Sequence, residues 1–83
     1  MDIKDLRKEI DEIDREIVPL LEKRFLVIDA VKRYKKKNNI SIQDSNREQE
    51  ILSNIRPSKK EFKKYLDEIY KSILKESKDY QNE

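Results

Sequence analysis

Eighty-three residues with a mass of 10.1 kDa make one small domain at most, and 46% charged against 35% hydrophobic side chains leave little apolar material for a self-sufficient core. The absence of cysteine and histidine excludes disulfides, thiolate nucleophiles, zinc-finger sites and the commonest general base near neutral pH. Twenty cationic against 18 anionic side chains give a net charge of only +2, which does not single out nucleic acid as a partner, and no apolar run suggests a membrane span or a signal peptide. A soluble, cytoplasmic chain whose chemistry rests on fixed charges and hydrogen bonds is the expectation.

The chain has no glycine, which argues for helices joined by few turns. From Ile3, the residues Leu6, Ile10, Ile13, Ile17, Leu20, Val27, Val31 and Tyr34 recur at three- and four-residue spacing, which predicts one amphipathic helix over 3–37. Asp2 is its expected N-cap, and Asp5 suits the positive end of the helix. Pro19 removes one backbone bond, yet the stripe keeps its phase on both sides, so the helix is expected to run through it. Asn38 and Asn39 then offer residues that tolerate a left-handed C-cap. Ser41 and Asp44 have the Ser-x-x-acid form of a helix start, predicting a short helix over 42–54. Pro57 closes it, and the Ser58 to Glu61 capping box predicts a third helix over 58–81 that buries Phe62, Leu66, Ile69, Tyr70, Ile73 and Leu74. The fold class is all-α: long, short and medium helices, with 1–83 as a single domain.

Length adds a consequence. A helix over 3–37 extends roughly 50 Å at about 1.5 Å per residue, whereas a compact chain of this size is about 30 Å across. The first helix overhangs its own domain, and a two-fold homodimer with paired long helices is the simplest way to cover it.

Polar residues occupy positions where the apolar stripes call for hydrophobic ones. The series 6, 10, 13, 17, 20, 24, 27, 31, 34 is apolar except at Arg24, a costly place for a cation unless an anion meets it. Lys35 lies eleven residues on, about three turns, and so projects from nearly the same face. In the second helix Asp44 and Glu48 share a stripe with Ile51 and Ile55, with Arg47 beside them; in the third, Ser77 and Gln81 continue the line of Leu66, Tyr70 and Ile73. Each has a plainer account: a glutamate partner for Arg24, a solvated run around Lys35, acids at a positive helix end, a fraying C-terminus. Together they offer several cations, two acids and two neutral hydrogen-bonding groups, a lining suited to a small dianion that also bears a hydroxyl.

This constellation resembles the all-helical class of chorismate mutases over nearly the whole chain. The opening LRKEIDEIDREIVPLLEKR is similar to that family's first-helix signature of Leu-Arg, Ile-Asp and Leu-Leu-x-x-Arg, and Lys35 stands where the family has its catalytic lysine. QDSNREQEIL resembles its Asp-x-x-Arg-Glu motif through Asp44, Arg47 and Glu48, and ESKDYQ its Ser-x-x-x-Gln element through Ser77 and Gln81.

The resemblance implies a cofactor-free, metal-free rearrangement of chorismate to prephenate in phenylalanine and tyrosine synthesis, carried out by an intertwined homodimer. It implies that Arg24 and the partner chain's Arg7 hold the substrate carboxylates with help from Lys35 and Ser77. It places Asp44 and Glu48 at the ring hydroxyl, with Arg47 orienting them or the substrate, and it makes Lys35 and Gln81 donors to the ether oxygen. The sequence departs from the family pattern at Lys32 and Tyr34, where small residues are common, and at Pro19, and a lysine follows Lys35 at position 36. Two alternatives accompany this reading: an enzyme like isochorismate pyruvate lyase, and a non-enzymatic helical dimerisation module whose polar core pairs set register.

Overall fold

The computed structural model describes residues 1–83 and is all-helical, without strands. Helix α1 spans Ile3–Lys37, α2 spans Ser45–Ser53 and α3 spans Lys63–Gln81, with one 3₁₀ turn at Lys60–Phe62 before α3. No helix is long and apolar enough to cross a membrane.

Asp2 starts α1 by a reciprocal cap: its carboxylate accepts from the Asp5 N–H at 3.0 Å, and the Asp5 carboxylate accepts from the Asp2 N–H at 3.4 Å. The helix continues through Pro19 to Lys37. There Asn39 takes φ 54°, the left-handed region, and the Ile40 N–H closes on the Lys35 carbonyl at 2.9 Å.

The second helix begins three residues later than the sequence predicts. Asp44, and not Ser41, is its N-cap, because the Asp44 carboxylate accepts from the Arg47 N–H at 3.0 Å. It ends at Ser53 instead of 54. The third helix begins at Lys63 instead of 58. Lys59 is extended, with φ −109° and ψ 112°, and no side chain caps the turn that follows, so the expected Ser58 to Glu61 box gives way to 3₁₀ geometry.

The chain runs up, down and up. Arg24 meets Ser77 and Asp29 meets Tyr80, so α3 lies parallel to the second half of α1. Glu48 meets Lys78 near one end of α2, while Ile55 lies beside Leu66 and Tyr70, so α2 runs antiparallel to α3.

The molecule measures 54 × 25 × 16 Å with a radius of gyration of 16.0 Å, against about 12 Å for a compact chain of this length. The overhang of α1 is therefore real in the single chain: every residue from Met1 to Leu20 is exposed, including Ile3, Leu6, Ile10, Ile13 and Ile17. The face that α1 turns to α2 and α3 also differs from the predicted stripe. Val27 and Tyr34 are exposed, and Leu21, Arg24, Phe25, Ile28, Val31 and Lys35 are half-buried in their place. A seven-residue step falls about 20° short of two helical turns, so the line Leu6, Ile13, Leu20, Val27, Tyr34 precesses about 80° round a straight helix. On α3, Phe62 and Ile69 are likewise exposed, whereas Leu66, Tyr70 and Ile73 are half-buried.

Candidate active site

Only Leu74, Ser77 and Gln81 are buried, at 7%, 4% and 7% exposure, so two of the three deepest residues are polar. Globular interiors are apolar unless polar groups have a use there, which directs attention to the space these residues face. It is a cavity of about 330 Å³ between the second half of α1, the start of α2 and the end of α3, within the usual size range for small-molecule sites.

Apolar walls come from Val27, Ile28 and Val31 of α1, from Ile42 and Ile51, and from Leu74 of α3. Polar groups converge from all three helices: Arg24 and Lys35, Asp44, Arg47 and Glu48, and Ser77, Lys78 and Gln81. Seven of the eight residues singled out in the sequence thus line one cavity. The exception is Arg7, which sits seventeen positions before Arg24 on the same helix, roughly 25 Å along its axis, and is exposed. Of the two adjacent lysines, Lys35 is half-buried at the cavity and Lys36 is exposed.

Arg24 donates from Nη1 to Ser77 Oγ at 2.6 Å, and Ser77 Oγ in turn donates to the Ile73 carbonyl at 2.8 Å. The serine hydroxyl is thereby an acceptor that aims the guanidinium. Lys35 donates from Nζ to the Ile42 carbonyl at 3.1 Å. Neither cation has a carboxylate within 4 Å. The other charges at the cavity are satisfied by protein: Lys78 pairs with Glu48 at 3.3 Å, Gln43 also donates to Glu48 at 2.9 Å, and Arg47 pairs with Glu50 on the outer side of α2. Four cations against two carboxylates line the space, an excess that suits a doubly charged anion.

Gln81 donates from Nε2 to the Ser77 carbonyl at 3.2 Å, and its Oε1 is buried without a hydrogen-bond partner. An unpaired buried amide oxygen is costly in a finished core, and a ligand hydroxyl or a reoriented amide would relieve it.

Sequence reasoning missed Lys78. It adjoins Ser77 and falls between Leu74 and Gln81 at steps of four and three, a cavity-facing line that the chosen stripe through Tyr70, Ile73 and Ser77 passes by.

Residues 6–82 match the family model for chorismate mutase type II, a span that includes Arg7 and every other residue singled out above. The chain belongs to the chorismate mutase type II family. It is 37% identical over 79 residues to a bifunctional chorismate mutase/prephenate dehydratase from Aquifex aeolicus, an alignment that takes in 88% of this chain and 22% of that protein. The chain thus spans about a fifth of that relative's length. A solved structure of a conserved hypothetical protein from Pyrococcus furiosus superposes with a TM-score of 0.79 at 43% identity, covering 95% of this chain and 93% of that one. Family membership and this superposition agree with the three-helix architecture.

Proposed function

We propose that residues 1–83 act as one chorismate mutase domain, an isomerase that converts chorismate to prephenate without a cofactor in a homodimer. The observation that carries this reading is the pair Arg24 and Lys35, two cations held by neutral oxygens at a cavity whose other two cations, Arg47 and Lys78, are already paired with carboxylates. Chorismate is a dianion with a ring hydroxyl and an enolpyruvyl ether, and one carboxylate, the hydroxyl and the ether oxygen each have a counterpart in the lining.

In this reading Arg24, aimed by Ser77, holds one carboxylate, and a planar guanidinium does so in two-point fashion that a lysine cannot reproduce. Asp44 and Glu48 meet the ring hydroxyl, and Arg47 orients them or the substrate. Lys35 and Gln81 donate to the ether oxygen. The reaction is a single pericyclic step in which the carbon–oxygen bond breaks ahead of carbon–carbon bond formation. Negative charge therefore grows on the ether oxygen, and donors fixed there bind the transition state more strongly than the substrate. The carboxylate contacts hold the flexible side chain in the compact conformer from which reaction occurs.

The second carboxylate falls to Arg7 of a partner chain. Two facts support this: the distance that separates Arg7 from its own chain's cavity, and the uncovered apolar residues on the same stretch of α1, from Ile3 to Ile17. An exposed apolar ridge of this length calls for a partner, and a second copy would bring Arg7 with it.

Incubating the purified protein with chorismate and following its loss, with product analysis, tests the proposal. Formation of prephenate supports it. Release of pyruvate from isochorismate, with chorismate untouched, favours the lyase reading, and a folded dimer that turns over neither substrate favours the dimerisation module.

A further inference from the structure

Gln81 is the last residue of α3, with Asn82 as its C-cap. Final helical turns fray unless something holds them, and the Gln81 side chain makes one hydrogen bond, back to its own helix. Its placement at the cavity depends on the backbone of that turn, and the backbone is tied down from outside the cavity. Tyr80 Oη donates to Asp29 Oδ1 at 2.8 Å, and the same carboxylate is held from the other side by Arg33 at 3.1 Å. Lys32 donates from Nζ to the Tyr80 carbonyl at 3.3 Å and stands 5.2 Å above the Tyr80 ring, a cation placed at the negative end of α3. The Phe25 ring packs against Tyr80 with centroids 5.8 Å apart at 59°. Residues 25, 29 and 32 form one line along α1, each one position beyond a cavity residue at 24, 28 and 31. None of Phe25, Asp29, Lys32 or Tyr80 lines the cavity. The lysine at 32, a departure from the family pattern, thus has a use.

We propose that Asp29, Lys32 and Tyr80 form a latch that fastens the last turn of α3 to α1 and so positions Gln81 at the reacting ether oxygen. This deepens the mutase reading and rests on it for its kinetic test. They are positioning residues, since they act through Gln81 and touch no substrate.

A double-mutant cycle separates positioning from general packing. Tyr80→Phe keeps the ring against Phe25 and Lys32 and removes only the hydroxyl. In the otherwise intact protein it lowers kcat by about fivefold, the effect of one hydrogen bond, with KM changed by less than about twofold. In a Gln81→Ala background the same substitution changes kcat by less than about twofold, because the residue it acts through is gone. An equal kcat loss in both backgrounds, or a wild-type kcat for Tyr80→Phe, overturns the proposal. Amide hydrogen exchange over residues 77–82 provides a measurement that needs no substrate. Exchange about fivefold faster in Tyr80→Phe supports the latch even if chorismate is not the substrate, and unchanged exchange overturns it even if chorismate is turned over.

Discussion

The two halves of α1 carry similar apolar patterns and meet different fates. From Leu21 to Lys35 the helix lies against α2 and α3 and gives a cavity two of its four cations; from Ile3 to Leu20 it has nothing against it, although isoleucines and leucines recur there at the same spacing. An amphipathic stripe specifies that a face will be covered, not by what. Beside the packed half a site gathers Arg24, Lys35 and Gln81 in one chain, and the bare half offers Arg7 and an apolar ridge with nothing of its own chain against it. In the proposed dimer the site is divided between chains along that same boundary.

The strongest effect is expected at the cavity beside the packed half. Gln81→Glu converts an amide donor into a group that donates only while protonated and whose carboxylate repels charge growing on the ether oxygen. At neutral pH its kcat should fall by roughly a hundredfold to a thousandfold, the usual range for a lost oxyanion donor. Activity should return toward acid pH as the new carboxyl is protonated, while the wild-type profile stays nearly flat from about pH 5 to 9. Parallel kcat profiles for the two proteins would remove Gln81 from the reacting oxygen.

Arg24→Ala comes next, with a loss of about a hundredfold in kcat/KM, or about 3 kcal/mol for a charge-assisted carboxylate contact. The melting temperature should hardly move, since Arg24 has no carboxylate partner in the protein. A large drop in melting temperature with activity kept in the cold would make Arg24 a structural residue.

Stability contrasts the packed core around α3 with the bare half of α1. Leu74 is the one buried apolar residue of the single chain, and Leu74→Ala should cost about 2 to 3 kcal/mol. Ile13 is 55% exposed in the single chain, where truncation to Ala would cost under about 0.5 kcal/mol. If a second copy covers it, Ile13→Ala should cost about 1 kcal/mol or more and make the melting temperature steeper in protein concentration. A null effect at all concentrations would leave the ridge uncovered.

The smallest effect is alkaline. The hydrogen bond to Asp29, with desolvation adding to it, raises the Tyr80 hydroxyl above its ordinary pKa. The folded protein thus favours the protonated phenol, and the stabilisation is whole below the unfolded value near 10 and is lost as pH rises through the folded one. Between about pH 9 and 12 the wild type should lose more melting temperature than Tyr80→Phe, and parallel curves would show that the bond is not formed in solution.

Much of this was legible in the residues. Alternating three- and four-residue spacing gave the extent of α1, and Asp2 gave its start, because both signals are local. The starts of α2 and α3 were misplaced because Ser41 and Ser58 resemble caps, whereas Asp44 and the extended Lys59 are what the chain uses. Arg24, Asp44, Ser77 and their neighbours stood out as polar residues on apolar stripes, and that signal depends on sequence alone. Lys78 did not, since a lysine beside a stripe on a lysine-rich helix looks solvated until α2 brings Glu48 to it. Which face of α1 turns inward was also hidden, because slow precession of the stripe over four heptads is a property of the whole helix.

That each site draws Arg24 from one chain and Arg7 from the other is tested by mixing two variants. Arg7→Ala and Arg24→Ala are each expected to be nearly inactive. In a heterodimer of the two, one site carries both defects and the other carries neither. Random exchange at equal amounts should therefore restore about a quarter of the wild-type sites, read as chorismate turnover after mass spectrometry has confirmed mixed dimers. Activity that stays at the level of the parents, with heterodimers present, would mean that Arg7 does not act across an interface and would contradict a site shared between chains.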